Sequence, residues 1–263
     1  MNLQLKDKVV MVAAASQGIG YGIAEAVARD GGRLSIASRT AEKIEAAAKA
    51  LRDQYGVDCR GYVMDAASAD SIQAWTDATL QEFGEVQSLV VNAGGPPPGN
   101  FDDFDDAAWS GAYELTLMSA VRMIRCVLPQ MRAQRSGSIL TVTSISIREP
   151  IDNLLLSNVF RSGVVALVKS LSNELADAGI RVNNLVPGRI DTERVRTLDE
   201  ISAGRKGIAV EDEQQLQFAE IPLGHYGTIK DMGSAGAFLL SEAARYITGV
   251  TLLVDGGKTR AVF

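Results

Sequence analysis

Residues 9–13 read Val-Val-Met-Val-Ala, a run without a polar residue, and lead directly into Ala14-Ala15-Ser16-Gln17-Gly18-Ile19-Gly20. A strand built from successive apolar residues has no solvent face, so it must be covered on both sides. The following segment, 19–29, sets Ile23, Ala24, Val27 and Ala28 at helical spacing, and Gly31 and Gly32 supply its stop. A doubly covered strand that turns through glycines into a helix opens a βα unit, which restricts the chain to a parallel sheet flanked by helices.

The same rhythm continues. Strands are predicted at 34–38, 61–64, 88–92, 138–142, 181–186 and 252–254. Helices are predicted at 41–54, 68–83, 107–132 and 154–178, with Gly56, Gly84 and Gly179 closing three of them. The loop Gly94-Gly95-Pro96-Pro97-Pro98-Gly99 cannot continue either element. The expected fold is α/β: a three-layer Rossmann fold with a doubly wound parallel sheet of about seven strands, in one domain over 1–263. Residues 191–217 break the pattern with a polar, charged sequence rich in glycine-punctuated helix signals. They read as a segment covering the site, or else as a surface excursion.

Composition narrows the partners. The formal net charge is −6 and no run of lysines or arginines occurs, so no nucleic-acid or anionic-membrane surface is expected. Cys59 and Cys126 lack metal-ligand spacing, and no metal is expected. The start, MNLQLKDK, has too few apolar residues for an export signal, so a reduced, cytoplasmic setting is expected.

Gly18 and Gly20 would let the backbone approach a pyrophosphate at the N-terminus of the helix, where N–H groups and the dipole favour anions. The same turn could be a tight connection and nothing more. Four further stretches stand in register with it: Asp65 after the third strand, Asn92-Ala93-Gly94 after the fourth, Pro187-Gly188 followed by Thr192, and Tyr246-Ile247-Thr248-Gly249 before Asp255-Gly256-Gly257. Together they resemble the short-chain dehydrogenase/reductase family over nearly the whole chain, with Ala13 and Ala14 standing where that family has Thr and Gly. The resemblance implies a nicotinamide dinucleotide held by Ala14, Ser16, Gln17, Gly18, Ile19 and Gly20. It implies further contacts from Asp65 and Ala66, from Asn92, Ala93 and Gly94, from Arg161, and from Pro187, Gly188, Ile190 and Thr192.

The second strand ends in Ser38-Arg39. A carboxylate at that place would bind the adenosine ribose and repel a 2′-phosphate, whereas a guanidinium pairs with a phosphate dianion. NADP(H) is therefore expected over NAD(H), unless Arg39 is only a solvated residue opening the next helix.

The proton-transfer positions diverge. The family resemblance implies Asn, Ser, Tyr and Lys, and the matching positions here hold Thr116, Ser144, Ser157 and Arg161. Arg161 keeps a cation with donors for hydroxyls or for oxyanion charge. An alkanol is a far poorer acid than a phenol, so Ser157 cannot replace tyrosine directly. Ser157 reads equally as a helix cap. Ser144, Ser157 and Thr116 could together line an oxyanion pocket. Arg148, Glu149 and Asp152, in the loop between the Ser144 strand and the Ser157 helix, are candidates by sequence proximity alone, and His225 and Tyr226 have less claim to a direct role.

Three functions fit these residues. The leading one is NADPH-dependent reduction of a ketone or 3-oxoacyl thioester by an atypical site. Reduction of an enoyl thioester is the second. The third is a nucleotide-binding sensor or partner subunit with little turnover. The partners expected are a small-molecule or acyl-thioester substrate and a second copy of the chain, in a homodimer or homotetramer through helices 107–132 and 154–178.

Overall fold

The structure is a computed structural model that describes residues 3–262. Seven parallel strands form one sheet in the order β3-β2-β1-β4-β5-β6-β7. They are β1 (Val9–Ala13), β2 (Arg33–Ser38), β3 (Cys59–Val63), β4 (Ser88–Val91), β5 (Gly137–Val142), β6 (Ile180–Pro187) and β7 (Thr251–Val254). The sequence placed all seven, with boundaries shifted by a residue or two.

Alternation along β1 divides the core. Val10 and Val12 enter a cluster beneath the first two helices, α1 (Gly18–Arg29) and α2 (Ala41–Tyr55). Val9, Met11 and Ala13 enter the opposite cluster, beneath α3 (Ala69–Phe83) and the helices that follow β4 and β5. All five residues are fully buried, as an apolar run without a polar face requires.

Four features of the helices refine these expectations. The helix predicted at 107–132 is α4 (Asp106–Tyr113) and α5 (Ser119–Gln134), joined by a π-helical turn over Glu114–Met118. The helix predicted at 154–178 is α6 (Leu155–Glu174) and ends in a 3-10 turn, Ala176–Ala178, because Gly179 takes φ +71°. Residues 191–217 are mostly regular, forming α7 (Glu193–Lys206) and α8 (Val210–Ala219).

The fourth is a helix the pattern did not reveal, α9 (Ile229–Leu240), whose Thr228 and Asp231 form a reciprocal capping box. It packs on α1 through glycines. A Cβ on Gly22 would lie 2.3 Å from the Ile229 carbonyl oxygen, and one on Gly233 would lie 2.2 Å from that of Gly22. Only the missing side chains allow this approach.

Candidate active site

The sheet order reverses between β1 and β4, and in open α/β sheets ligands collect outside the strand C-termini at such a point. The chain brings its candidates to that edge: Ala14 after β1, Ser38 and Arg39 at the end of β2, Asp65 and Ala66 after β3. Asn92, Ala93 and Gly94 follow β4, Ser144 follows β5, and Pro187, Gly188 and Ile190 come from the end of β6.

The turn after β1 is strained and open at once. Ala14 holds φ +50°, the left-handed region, where a side chain costs about 1–2 kcal/mol. Gly18 holds φ +64°. Gly20 lies so close to Ala14 that a Cβ would come within 2.4 Å of its carbonyl oxygen, the same oxygen that accepts from Asn92 Nδ2 at 3.4 Å. The first turn of α1, with Ile19 in it, therefore starts against the strand end. Gln17 Nε2 donates to Glu193 Oε2 at 2.5 Å, and Thr192 Cγ2 lies 3.7 Å from where a Gly18 Cβ would be, so α7 begins beside this turn. Thr192 caps α7 by accepting from Val195 N.

At the end of β2, the Ser38 hydroxyl is buried without a hydrogen-bond partner among the described residues. Arg39 beside it is exposed, and among the described residues it makes no ion pair. An orphaned hydroxyl next to a free guanidinium fits a phosphate. Asp65 is less free: its Oδ1 accepts from Ala67 N and its own N–H donates to Ser71 Oγ. Ala66 and Ile190 are buried. Gly188 faces Asp255, whose Cα would stand 2.5 Å from a Cβ there. These features fit a dinucleotide laid across the strand ends, with an open face at Gly94, where an added Cβ would meet nothing within 4 Å.

Around Arg161 the structure decides between readings of Ser157. The helix cap is Leu154, and Ser157 lies inside α6, buried, so it is not a cap. One turn later Arg161 donates from Nε to Ser157 Oγ at 3.2 Å. Its Nη1 donates to the Val142 and Thr143 carbonyls at 3.1 and 3.2 Å, which fixes the guanidinium to the end of β5. No described carboxylate pairs with it. Burial, and secondarily the charge of Arg194, push the Arg161 pKa down to about 10, so it remains a cation at neutral pH.

Thr116 sits in the π turn with its Oγ1 buried and unpartnered. It shares a cavity of about 20 Å³ with Asn92, Ala93, Ser119, Val142 and Arg161. That is room for one water against polar partners. Ser144 stands apart: it caps a 3-10 turn, Ile145–Ile147, by accepting from Ser146 N, and no hydrogen bond ties it to Ser157, Thr116 or Arg161. The three hydroxyls thus form no single bonded cluster, while Ser157, Arg161 and Thr116 do converge.

His225 is exposed and bonds the Tyr226 carbonyl. Tyr226 donates to the fully buried Asp199, and burial followed by that carboxylate raises its pKa, which unsuits it as an acid. Arg189 pairs with Asp199 from the other side. Sequence reading missed this triad, which pins α7 to the body; its members lie far apart in the chain and carry no motif. Among the described residues no His, Cys, Asp and Glu group could hold a metal ion, and no helix is long and apolar enough to cross a membrane.

Comparisons with known proteins identify the family and the fold. A family model described as enoyl-(acyl carrier protein) reductase matches residues 13–259. The 3-oxoacyl-[acyl-carrier-protein] reductase FabG of Escherichia coli K12 is 32% identical over 255 residues, covering 97% of this chain and 98% of its own length. L-Sorbose reductase of Gluconobacter frateurii, solved with NADPH and L-sorbose, superposes with a TM-score of 0.95 at 28% identity and full coverage of both chains. An NADPH-bound short-chain oxidoreductase of Pseudomonas aeruginosa PAO1, described as containing an atypical catalytic center, superposes at 0.87 with 29% identity over 98% of this chain and all of its own. The chain belongs to the short-chain dehydrogenase/reductase family of oxidoreductases.

Proposed function

We propose that this protein is an NADPH-dependent reductase of carbonyl substrates, ketones or 3-oxoacyl thioesters, in which Arg161 and Ser157 serve where relatives use Lys and Tyr. The observation that carries the reading is the Arg161–Ser157 hydrogen bond, made by a largely buried cation without a carboxylate partner. When bound, NADPH supplies the hydride. Ser38 and Arg39 would hold its 2′-phosphate, the Gly18–Gly20 turn its pyrophosphate, and Pro187, Gly188, Ile190 and Thr192 its nicotinamide end.

As negative charge grows on the substrate oxygen, the Ser157 hydroxyl donates to it, because Ser157 Oγ already accepts from Arg161 and its own O–H stays free. The guanidinium stabilises that oxyanion through Ser157 and through Nη2, which no described group engages. Serine is too weak an acid to be left ionised at neutral pH, so as Ser157 passes its proton to the substrate oxygen it takes one from water drawn from the cavity lined by Thr116 and Arg161, and the hydroxide left behind is neutralised by exchange with solvent. The α7–α8 segment covers this site.

A second reading, reduction of an enoyl thioester, is favoured by the description of the matching family model. An enolate oxygen needs stabilisation more than a strong acid, and the Arg161–Ser157 pair offers that. The copies of the chain would meet through the α4–α5 and α6 faces, where Tyr113 and Val159 are exposed. The free thiols of Cys59 and Cys126 suit a reducing cytoplasm.

Steady-state kinetics test the assignment. Arg161→Met should lower kcat by about a hundredfold or more, the scale of a lost oxyanion donor, with NADPH still bound. Full kcat in Arg161→Met would refute it.

A further inference from the structure

Two cations on the substrate side of the site, Arg161 and Arg194, make no ion pair among the described residues. Arg161 is bound only to Ser157 and to backbone carbonyls. Arg194, from the first turn of α7, has one long hydrogen bond, Nη2 to the Pro96 carbonyl at 3.4 Å, and likewise no ion pair among the described residues. Its Nη2 stands 3.5 Å from the position of a Cβ on Gly95. The loop after β4 therefore joins the two: Asn92 and Ala93 line the cavity at Arg161, and Gly95 and Pro96 lie under Arg194.

The neighbouring arginines of α7 are occupied differently. Arg196 is paired with Asp191 at 2.8 Å, and Arg189, just before α7, with Asp199. Glu193 turns the other way, onto Gln17 of the phosphate turn. Arg194 thus faces the loop after β4 while its neighbour faces the turn where a pyrophosphate would lie. Arg194 is exposed yet close enough to Arg161 for its charge to be felt there, so in a protein of net charge −6 the two unpaired guanidinium groups offer a place for an anionic ligand.

We propose that the substrate carries a carboxylate, which Arg194 binds while Arg161 and Ser157 face the reducible carbon, so that Arg194 selects acids over neutral ketones. The choice of carbon rests on the reductase reading; the carboxylate site does not. The other source of such an anion is the cofactor's pyrophosphate, and the experiment separates the two.

Dead-end complexes avoid turnover: titrate the enzyme–NADP⁺ complex with pyruvate, levulinate and crotonate, each beside its methyl ester, by calorimetry. At least one acid should bind about tenfold or more tightly than its ester. Arg194→Gln should remove that preference and leave the Kd for NADP⁺ within about threefold, while Arg194→Lys should keep part of the preference as a point charge. Three results overturn the proposal. They are acids and esters binding alike, no acid binding at all, and Arg194→Gln weakening NADP⁺ while the acid preference persists, which would assign Arg194 to the pyrophosphate. A protein that prefers acids yet never oxidises NADPH would keep the carboxylate site and fail the reductase reading instead.

Discussion

Arg161 and Ser157 sit four residues apart on α6, and the spacing alone sets them on one face. Sequence showed the pair and its departure from the family pattern, but left open whether Ser157 was a cap. The answer needed the helix start at Leu154, which puts Ser157 in the interior at a buried position. Ser157→Ala should therefore cost about tenfold or more in kcat, measured under saturating substrate, and about 1–3 kcal/mol in stability, since it strips the Arg161 Nε of its acceptor. At the other end of the cofactor site, Arg39→Asp places a carboxylate beside the Ser38 hydroxyl. The ratio of NADPH to NADH affinity should fall by about tenfold or more, read from fluorescence titrations with both cofactors. Ala14 offers a stability test. Its φ of +50° costs about 1–2 kcal/mol, and glycine returns about 0.5–1 kcal/mol of that in unfolded-state entropy. Ala14→Gly should still gain a few tenths to about 1 kcal/mol in denaturant melts.

At the scale of elements, the strands were the most legible part because β1 and its neighbours are short apolar runs with glycine ends. Helix α9 was not, since Gly233 and Gly236 dilute its pattern and glycine is a poor helix former. Those glycines are there for contact with α1. Gly233→Ala, which gains about 1 kcal/mol in helix propensity, should nevertheless lower stability by about 2 kcal/mol or more, because its Cβ meets backbone rather than a movable side chain. The π turn at Thr116 leaves no sequence signature either; a single residue more per turn changes no residue type. The 191–217 segment carried helix signals in its sequence, and α7 and α8 form there. Its internal tie is Glu213, whose carboxyl burial raises, while bonds from Lys206, Gln217 and Ser202 more than offset that and hold it below its ordinary 4.5. A depressed carboxyl stabilises above its unfolded value and loses that contribution as pH falls through the folded one. Amide exchange in α7 and α8 should accelerate below about pH 4 before the sheet opens, and Glu213→Gln should remove that acid sensitivity.

For the molecule as a whole, the parallel sheet delivers one strand end after another to a single edge, and the divergent residues gather there too. The proposed cofactor side draws on stretches that are each local in sequence, the turn after β1, Ser38-Arg39 and Pro187-Gly188, and the fold brings them to that edge. The substrate side is less local: Arg194 meets the loop after β4 only through the docking of α7, fixed by Arg189, Asp199 and Tyr226. Asp199 is fully buried between the other two, so its role belongs to tertiary structure. The central claim is that this altered site still turns over. Single-turnover stopped flow of the preformed NADPH complex, mixed with ketones, oxo acids, 3-oxoacyl thioesters and enoyl thioesters, measures it directly. The account predicts NADPH oxidation with at least one carbonyl substrate, slowed about a hundredfold in Arg161→Met. Tight NADPH binding with no oxidation by any carbonyl substrate would contradict it.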